Sequence, residues 1–337
     1  MQNDANADLI IAGFGIAGAT LALALDDLGL SLAIYDADLD GSSSQVAAGL
    51  ITPVTGKKLK PQPHFETLRQ SAVEMYRSLE DQTGSDFLYE SPALRLLTAE
   101  KEQAVWERER EPLSKWLSPS ISSGWSGVRW EGTPLQMSMA ARLDTRKFLH
   151  AARRFLAPRH AFFREPVDST DAPVAWCCGF HESKATRVDT LEWRPAKGEI
   201  LQVKIPDGRL PGTVHARGMW VTPTGGREAL AGATYSWDAL DGKPTSTARD
   251  ALVEKLLQIL EAPFEVVGHE AGVRPIVSGR KPIIGSISDG GQQWLFNGLG
   301  SKGALFAPTM ARLLAEHIVN GAAIPADYDW AVRRDTQ

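Results

Sequence analysis

The chain has 337 residues, 43% of them hydrophobic and 23% charged, with a formal net charge of −5. That is enough chain for a substantial core and about two domains of roughly 150 residues each, and its acidic balance argues against a protein that wraps nucleic acid. No run of about 18 apolar residues is present to suggest a membrane span.

The first residues, MQNDANAD, are polar and lack the basic-then-apolar pattern of a signal peptide. Leu9 to Ala12 is a short apolar run of the kind found in buried parallel strands. The turn Gly13-Phe14-Gly15-Ile16-Ala17-Gly18 follows, and a helix of small and apolar residues runs to about Leu28, where Gly29 stops it. Ser31 to Tyr35 reads as a second strand ending at Asp36. His64 to Gln82 carries Phe65, Leu68, Ala72, Met75, Tyr76 and Leu79 on one helical face. Ser91 to Gly132 is rich in Trp, Glu and Arg with an uneven pattern. Asp144 is placed to cap a helix through Phe148, Leu149, Ala152, Phe155 and Leu156. "PVAWCCG", Pro173 to Gly179, reads as a strand ending in glycine, and Lys197 to Tyr235 has β character. A helix over Thr247 to Leu260 precedes the final unit: strand Trp294–Phe296, a glycine loop from Gly298 to Gly303, and a helix to about Val319. Cys177 and Cys178 are the only cysteines and adjacent in the chain, which predicts reduced thiols and a cytoplasmic protein.

The first turn predicts dinucleotide binding. Gly13 permits the tight turn, Gly15 lets the backbone approach a pyrophosphate, and Gly18 lets helix and strand pack closely. The helix N-terminus then offers free N–H groups and the positive end of its dipole to the phosphates. Asp36 lies about 20 residues on, where a carboxylate bonds a ribose hydroxyl. The second glycine-gated helix start, Gly298-Leu299-Gly300-Ser301-Lys302-Gly303, favours a flavin over NAD, because reduced flavin carries negative charge that a helix N-terminus stabilises.

Seven blocks in order then carry a resemblance. They are the dinucleotide turn with Asp36, "GSSSQVAAGLITP" (Gly41–Pro53), "PVAWCCG", "AKGEIL" (Ala196–Leu201), "LAGATY" (Leu230–Tyr235), "AGVRPIVSGRKPIIG" (Ala271–Gly285) and "GLGSKGALFAPTMARLLAEHI". Together they resemble the D-amino-acid oxidase superfamily of FAD-dependent oxidoreductases, the group with glycine oxidase, sarcosine oxidase and the oxidase domain of the bifunctional tRNA wobble-uridine enzyme. The resemblance implies an α/β fold, with a Rossmann-like FAD domain of glutathione-reductase-like cofactor topology and an α+β substrate domain built on a mixed sheet. It divides the chain into a discontinuous FAD domain, residues 1–80, 143–195 and 265–337, and a substrate domain, residues 81–142 and 196–264. It places Ser42, Ser43, Ser44, Ala48 and Gly49 along the pyrophosphate, ribityl and flavin region, with a flexible polar loop as the other reading of the serine run. Val167 would cap the adenine and Gly179 would approach the cofactor. Ile16, Ala17, Ala37, Leu50, Cys178, Arg274, Gly298, Gly300, Ser301, Lys302, Gly303 and Ala304 complete the implied FAD-binding set. FAD is expected to be non-covalent, and no cluster has metal-ligand spacing.

The implied reaction oxidises a C–N bond beside a carboxylate by hydride transfer to flavin N5, with O2 as acceptor. The expected partner is therefore a small amine or amino acid. Arg274, in "AGVRP", is the expected carboxylate clamp, because a guanidinium forks onto a carboxylate in two bonds. A structural ion pair is its other reading. Lys302 either stabilises reduced flavin or points to water. Tyr235 either contacts substrate or is an ordinary sheet tyrosine. The basic turn "SGRKP", with Arg280, departs from the acid-containing turn many relatives carry and reads as either a solvated turn or the mark of a more acidic substrate. Lys57 and Lys58 read as surface lysines. Trp106, Trp116, Trp125 and Trp130 are expected to pack the substrate domain, with one or two walling the pocket. Other functions left open are a dehydrogenase of an amine or hydroxy acid using another acceptor, tRNA wobble-uridine modification, and a non-catalytic FAD-binding protein.

Overall fold

The computed structural model describes residues 7–120, 125–167, 170–188, 190–206, 210–288, 290 and 292–334. Two sheets organise it. The first has six strands in the order 161–163, 32–35, 9–12, 174–176, 293–297, 283–286. All neighbours pair in parallel except the last two, which are antiparallel. Leu9–Ala12 and Leu32–Tyr35 are buried throughout, as strands covered on both faces must be. Helix Ile16–Asp27 packs against the C-terminal helix Gly303–Asn320 beside this sheet. The helix Phe65–Thr83 packs on the C-terminal helix with the face its spacing predicts. Asp144 caps helix Thr145–Leu156, its carboxylate accepting the Lys147 amide at 3.2 Å.

The second sheet has eight strands in the order 265–274, 196–204, 228–232, 219–225, 214–216, 93–97, 133–137, 117–119. It is mixed: the pair 93–97 and 214–216 is parallel and the rest are antiparallel. Strand Glu265–Arg274, assigned from the sequence to the cofactor side, pairs antiparallel with Ala196–Lys204 along its length, so it belongs to the second sheet. The reason is register: Ala196 faces Arg274 and Lys204 faces Glu265, an edge pairing across about 60 to 80 residues of chain that no local pattern reveals. The same strand reaches back to the first unit, where the Val273 amide donates to Gly41 O at 3.0 Å. Among the described residues no helix is long and apolar enough to cross a membrane.

Candidate active site

One elongated cavity runs between the two sheets, and both glycine-gated helix starts open into it. Gly13, Gly15, Ile16 and Ala17 line it at the start of helix Ile16–Asp27; Gly300, Ser301, Gly303 and Ala304 line it at the start of helix Gly303–Asn320. The two ends are neighbours: a Cβ on Gly303 would stand 3.1 Å from Ile16 Cγ2. Neither helix is capped by the side chain of its own N-cap residue, so first-turn N–H groups at both starts are left to other partners or to a ligand. Ser44 stands beside the first of them, its Oγ accepting the Ile16 amide at 3.0 Å. Gly49 is required where it stands, at φ 65° with Leu143 O only 1.9 Å from where a Cβ would be.

The cavity's chemistry differs from end to end. At one end Asp36, Ala37, Glu165 and Val167 line the wall, beside the stacked rings of Tyr35 and Phe163. Arg153 holds the Asp36 carboxylate at 3.0 Å, and its guanidinium lies over Phe14 and Phe162. Ser42, Ser43, Ala48, Gly49, Leu50, Cys178 and Gly179 line the middle. Asn297, unremarked in the sequence, ties two glycines there: its Nδ2 donates to Gly179 O at 3.0 Å and its Oδ1 accepts the Gly298 amide at 2.9 Å. Burial raises the thiol pKa values of Cys177 and Cys178, keeping both protonated. At the far end the second sheet contributes Gly198, Ile200, Trp220, Ala233, Gly272, Val273 and Arg274. Arg274 is the only ionisable group among them. It is partly buried, and burial lowers its pKa against the pull of Tyr235. Among the described residues no carboxylate lies within 4.0 Å of it; Nη1 donates to Thr234 O at 3.3 Å, and the guanidinium sits 4.5 Å from the Tyr235 ring centre.

Several expected residues stand elsewhere. Gly18 lies under the turn instead of on the wall, its missing side chain leaving room for Gly13 O. Lys302 and Gly298 are also outside the lining. Lys302 Nζ donates to Gln62 Oε1 at 2.6 Å, and burial lowers its pKa. Tyr235 is 46% exposed and touches Arg274 instead of lining the cavity. None of Trp106, Trp116, Trp125 and Trp130 walls the cavity; Trp220 does, because it alone of these points from a strand beside Ile200 and Gly232. The basic turn faces away: Arg333 donates to Ser278 O at 2.5 Å, and Lys281 pairs with Asp327 at 2.9 Å. Lys57 and Lys58 are exposed.

A family model described as FAD dependent oxidoreductase matches residues 8–317. The chain belongs to the DAO family of FAD-dependent oxidoreductases. This DAO-family protein is 32% identical to a glycine oxidase of Pseudomonas aeruginosa over 124 residues, 36% of this chain and 34% of that one. It is 27% identical to the tRNA 5-methylaminomethyl-2-thiouridine biosynthesis bifunctional protein MnmC of Maricaulis maris, over 96% of this chain and 54% of that one. The chain thus spans about half or less of the length of these relatives. In structure it is similar to the glycine oxidase of Bacillus cereus, with TM-score 0.80 and 18% identity over 94% of this chain and 96% of that one. It is also similar to the iminodiacetate oxidase of Chelativorans sp., with TM-score 0.79 and 19% identity over 94% and 97%.

The cavity fits the family's cofactor. A dinucleotide needs a ribose-binding acid, bare backbone at the phosphates and positive potential along the chain. Asp36, the glycines at 13 and 15 and the two helix starts supply these in one continuous space. The family assignment and the cavity therefore agree on FAD as the cofactor of this oxidoreductase.

Proposed function

We propose that this protein oxidises a small amine or amino acid bearing a carboxylate, with non-covalent FAD and with O2 as the terminal acceptor. The observation that carries the reading is Arg274, a partly buried guanidinium on the cavity wall with no carboxylate of the described protein to neutralise it. An unpaired charge in such a place costs stability and is kept where a ligand completes it. Bound FAD supplies a ring that accepts a hydride from the carbon bearing the amine. Arg274 forks onto the substrate carboxylate and fixes that carbon's position. Ile200, Trp220 and Ala233 exclude water around it. The second sheet contributes no carboxylate or imidazole to this wall, so the amine enters as the free base and no protein group is needed to take its proton. Gly13, Gly15, Ser42 and Ser43 face the pyrophosphate, and Asp36 and Val167 the adenosine.

Anaerobic mixing of the yellow protein with a panel of amino acids and their amides tests this. Bleaching by the carboxylates and not by the amides, reversed within seconds by air, is the expected result. Bleaching by neither class overturns the reading, and slow recovery in air replaces O2 with another acceptor. A second reading, a tRNA nucleoside as substrate, is favoured by the alignment with MnmC over 96% of the chain. Retention of tRNA at low salt separates it. For the cofactor, Asp36→Ala is expected to weaken FAD binding by roughly one to two decades, the loss of a charged hydrogen bond. Flavin fluorescence quenching during reconstitution measures it.

A further inference from the structure

The Arg274 side chain lies flat across a neighbouring strand. In the register of strands 196–204 and 265–274, Ala196 faces Arg274 and Gly198 faces Gly272. The side chain therefore crosses to the diagonal position, over Gly198. A Cβ at Gly198 would stand 2.1 Å from Nη2, 2.3 Å from Cζ and 2.4 Å from Nη1. All three atoms crowd one point, so the guanidinium plane rests against the bare Cα. Its other contacts are the Tyr235 ring, 4.5 Å from Cζ, and Thr234 O, 3.3 Å from Nη1. Gly198 has an ordinary backbone conformation, so the absence of a side chain there answers to the guanidinium and not to the turn of the chain. Tyr235 is the residue after the Thr234 acceptor, and its ring is half in solvent, with little core of its own to serve.

We propose that Gly198 and Tyr235 are positioning residues that set the plane of the Arg274 guanidinium, so that its fork meets a carboxylate already oriented. This rests on the reading of Arg274 as the carboxylate clamp. Gly198 supplies the gap, and the Tyr235 ring limits the guanidinium's tilt. The phenol oxygen has no part in it.

Binding of benzoate and of benzamide to the FAD holoenzyme, read from perturbation of the flavin spectrum, tests the arrangement. Wild type is expected to prefer benzoate. Gly198→Ala should weaken benzoate by on the order of 10-fold to 100-fold, the cost of displacing a positioning group by about 1 Å, with benzamide unchanged. Tyr235→Ala should move the same ratio in the same direction, and Tyr235→Phe should restore it. Tyr235 is at the surface, so its variants report even if Gly198→Ala loses flavin. If Gly198→Ala and Tyr235→Ala both keep the wild-type ratio, the positioning role is overturned while the clamp stands. If Tyr235→Phe loses as much as Tyr235→Ala, the hydroxyl is the working group and the role assigned to the ring falls. If wild type itself shows no preference for benzoate, the carboxylate reading fails, and this proposal with it.

Discussion

Gly18→Ala is expected to lower stability and empty the protein of flavin, although alanine is ordinarily the better helix former by about 0.5–1 kcal/mol. The sign reverses because of what Gly18 rests on. Its Cβ would stand 1.9 Å from Gly13 O and 3.3 Å from Ile11 Cγ2. The carbonyl has little room to retreat, since the Gly13 amide donates to Tyr35 O at 2.7 Å and Cys177 O stands 2.7 Å from where a Gly13 Cβ would be. The helix start must therefore lift, and the amides of Ile16 and Ala17 leave the cavity wall with it. Overpacking of this kind costs about 1–3 kcal/mol. Gly15→Val separates the two effects. A Cβ there meets only Ser44, its Oγ at 3.0 Å and its Cβ at 3.7 Å, and moving that hydroxyl gives up the hydrogen bond it accepts from the Ile16 amide, while Gly15 itself lines the cavity. That variant should lose no more than the stability of one hydrogen bond, about 1 kcal/mol, and stay colourless. Thermal unfolding of the apoproteins and the flavin absorbance of each purified protein decide it. A Gly18→Ala protein as stable and as yellow as wild type would sink the account of the turn.

What the sequence showed and what it hid divide along one physical line. The turn, the Asp144 cap and the strand at Leu9–Ala12 are set by neighbours within a few residues, and local pattern reveals them. Arg274 was legible as a type of residue in a family block. Its partners were not: Gly198 lies beneath it only because strands some 75 residues apart in the chain pair at one register. Asn297 and Arg153 escaped for the same reason, each acting on groups more than 100 residues away. Lys302, which the sequence leaves between a flavin contact and water, bonds Gln62 some 240 residues away, a partner no local pattern reveals. Tyr235, read as either a substrate contact or an ordinary sheet tyrosine, has its ring 4.5 Å from the Arg274 guanidinium, a pairing the sequence does not display.

Arg274→Ala should raise KM for a carboxylate substrate by one to three decades, roughly 1.5–4 kcal/mol for a forked, charged contact. Arg274→Lys should recover only part of that, because an ammonium offers a point charge and no fork. The amide of the same substrate should be insensitive to both changes. Stability should move the other way. In the free protein the guanidinium is pulled from water and compensated by one carbonyl at 3.3 Å and one ring. Burying a charge so poorly paired is unfavourable, and removing it relieves the cost. The Arg274→Ala apoprotein should therefore unfold at a temperature equal to or above that of wild type while its carboxylate affinity collapses. That opposition is expected of a residue kept for a ligand, since structural ion pairs lose stability when one partner is deleted. A variant with unchanged KM, or with stability lost in step with affinity, would mean that Arg274 serves the sheet and not the substrate.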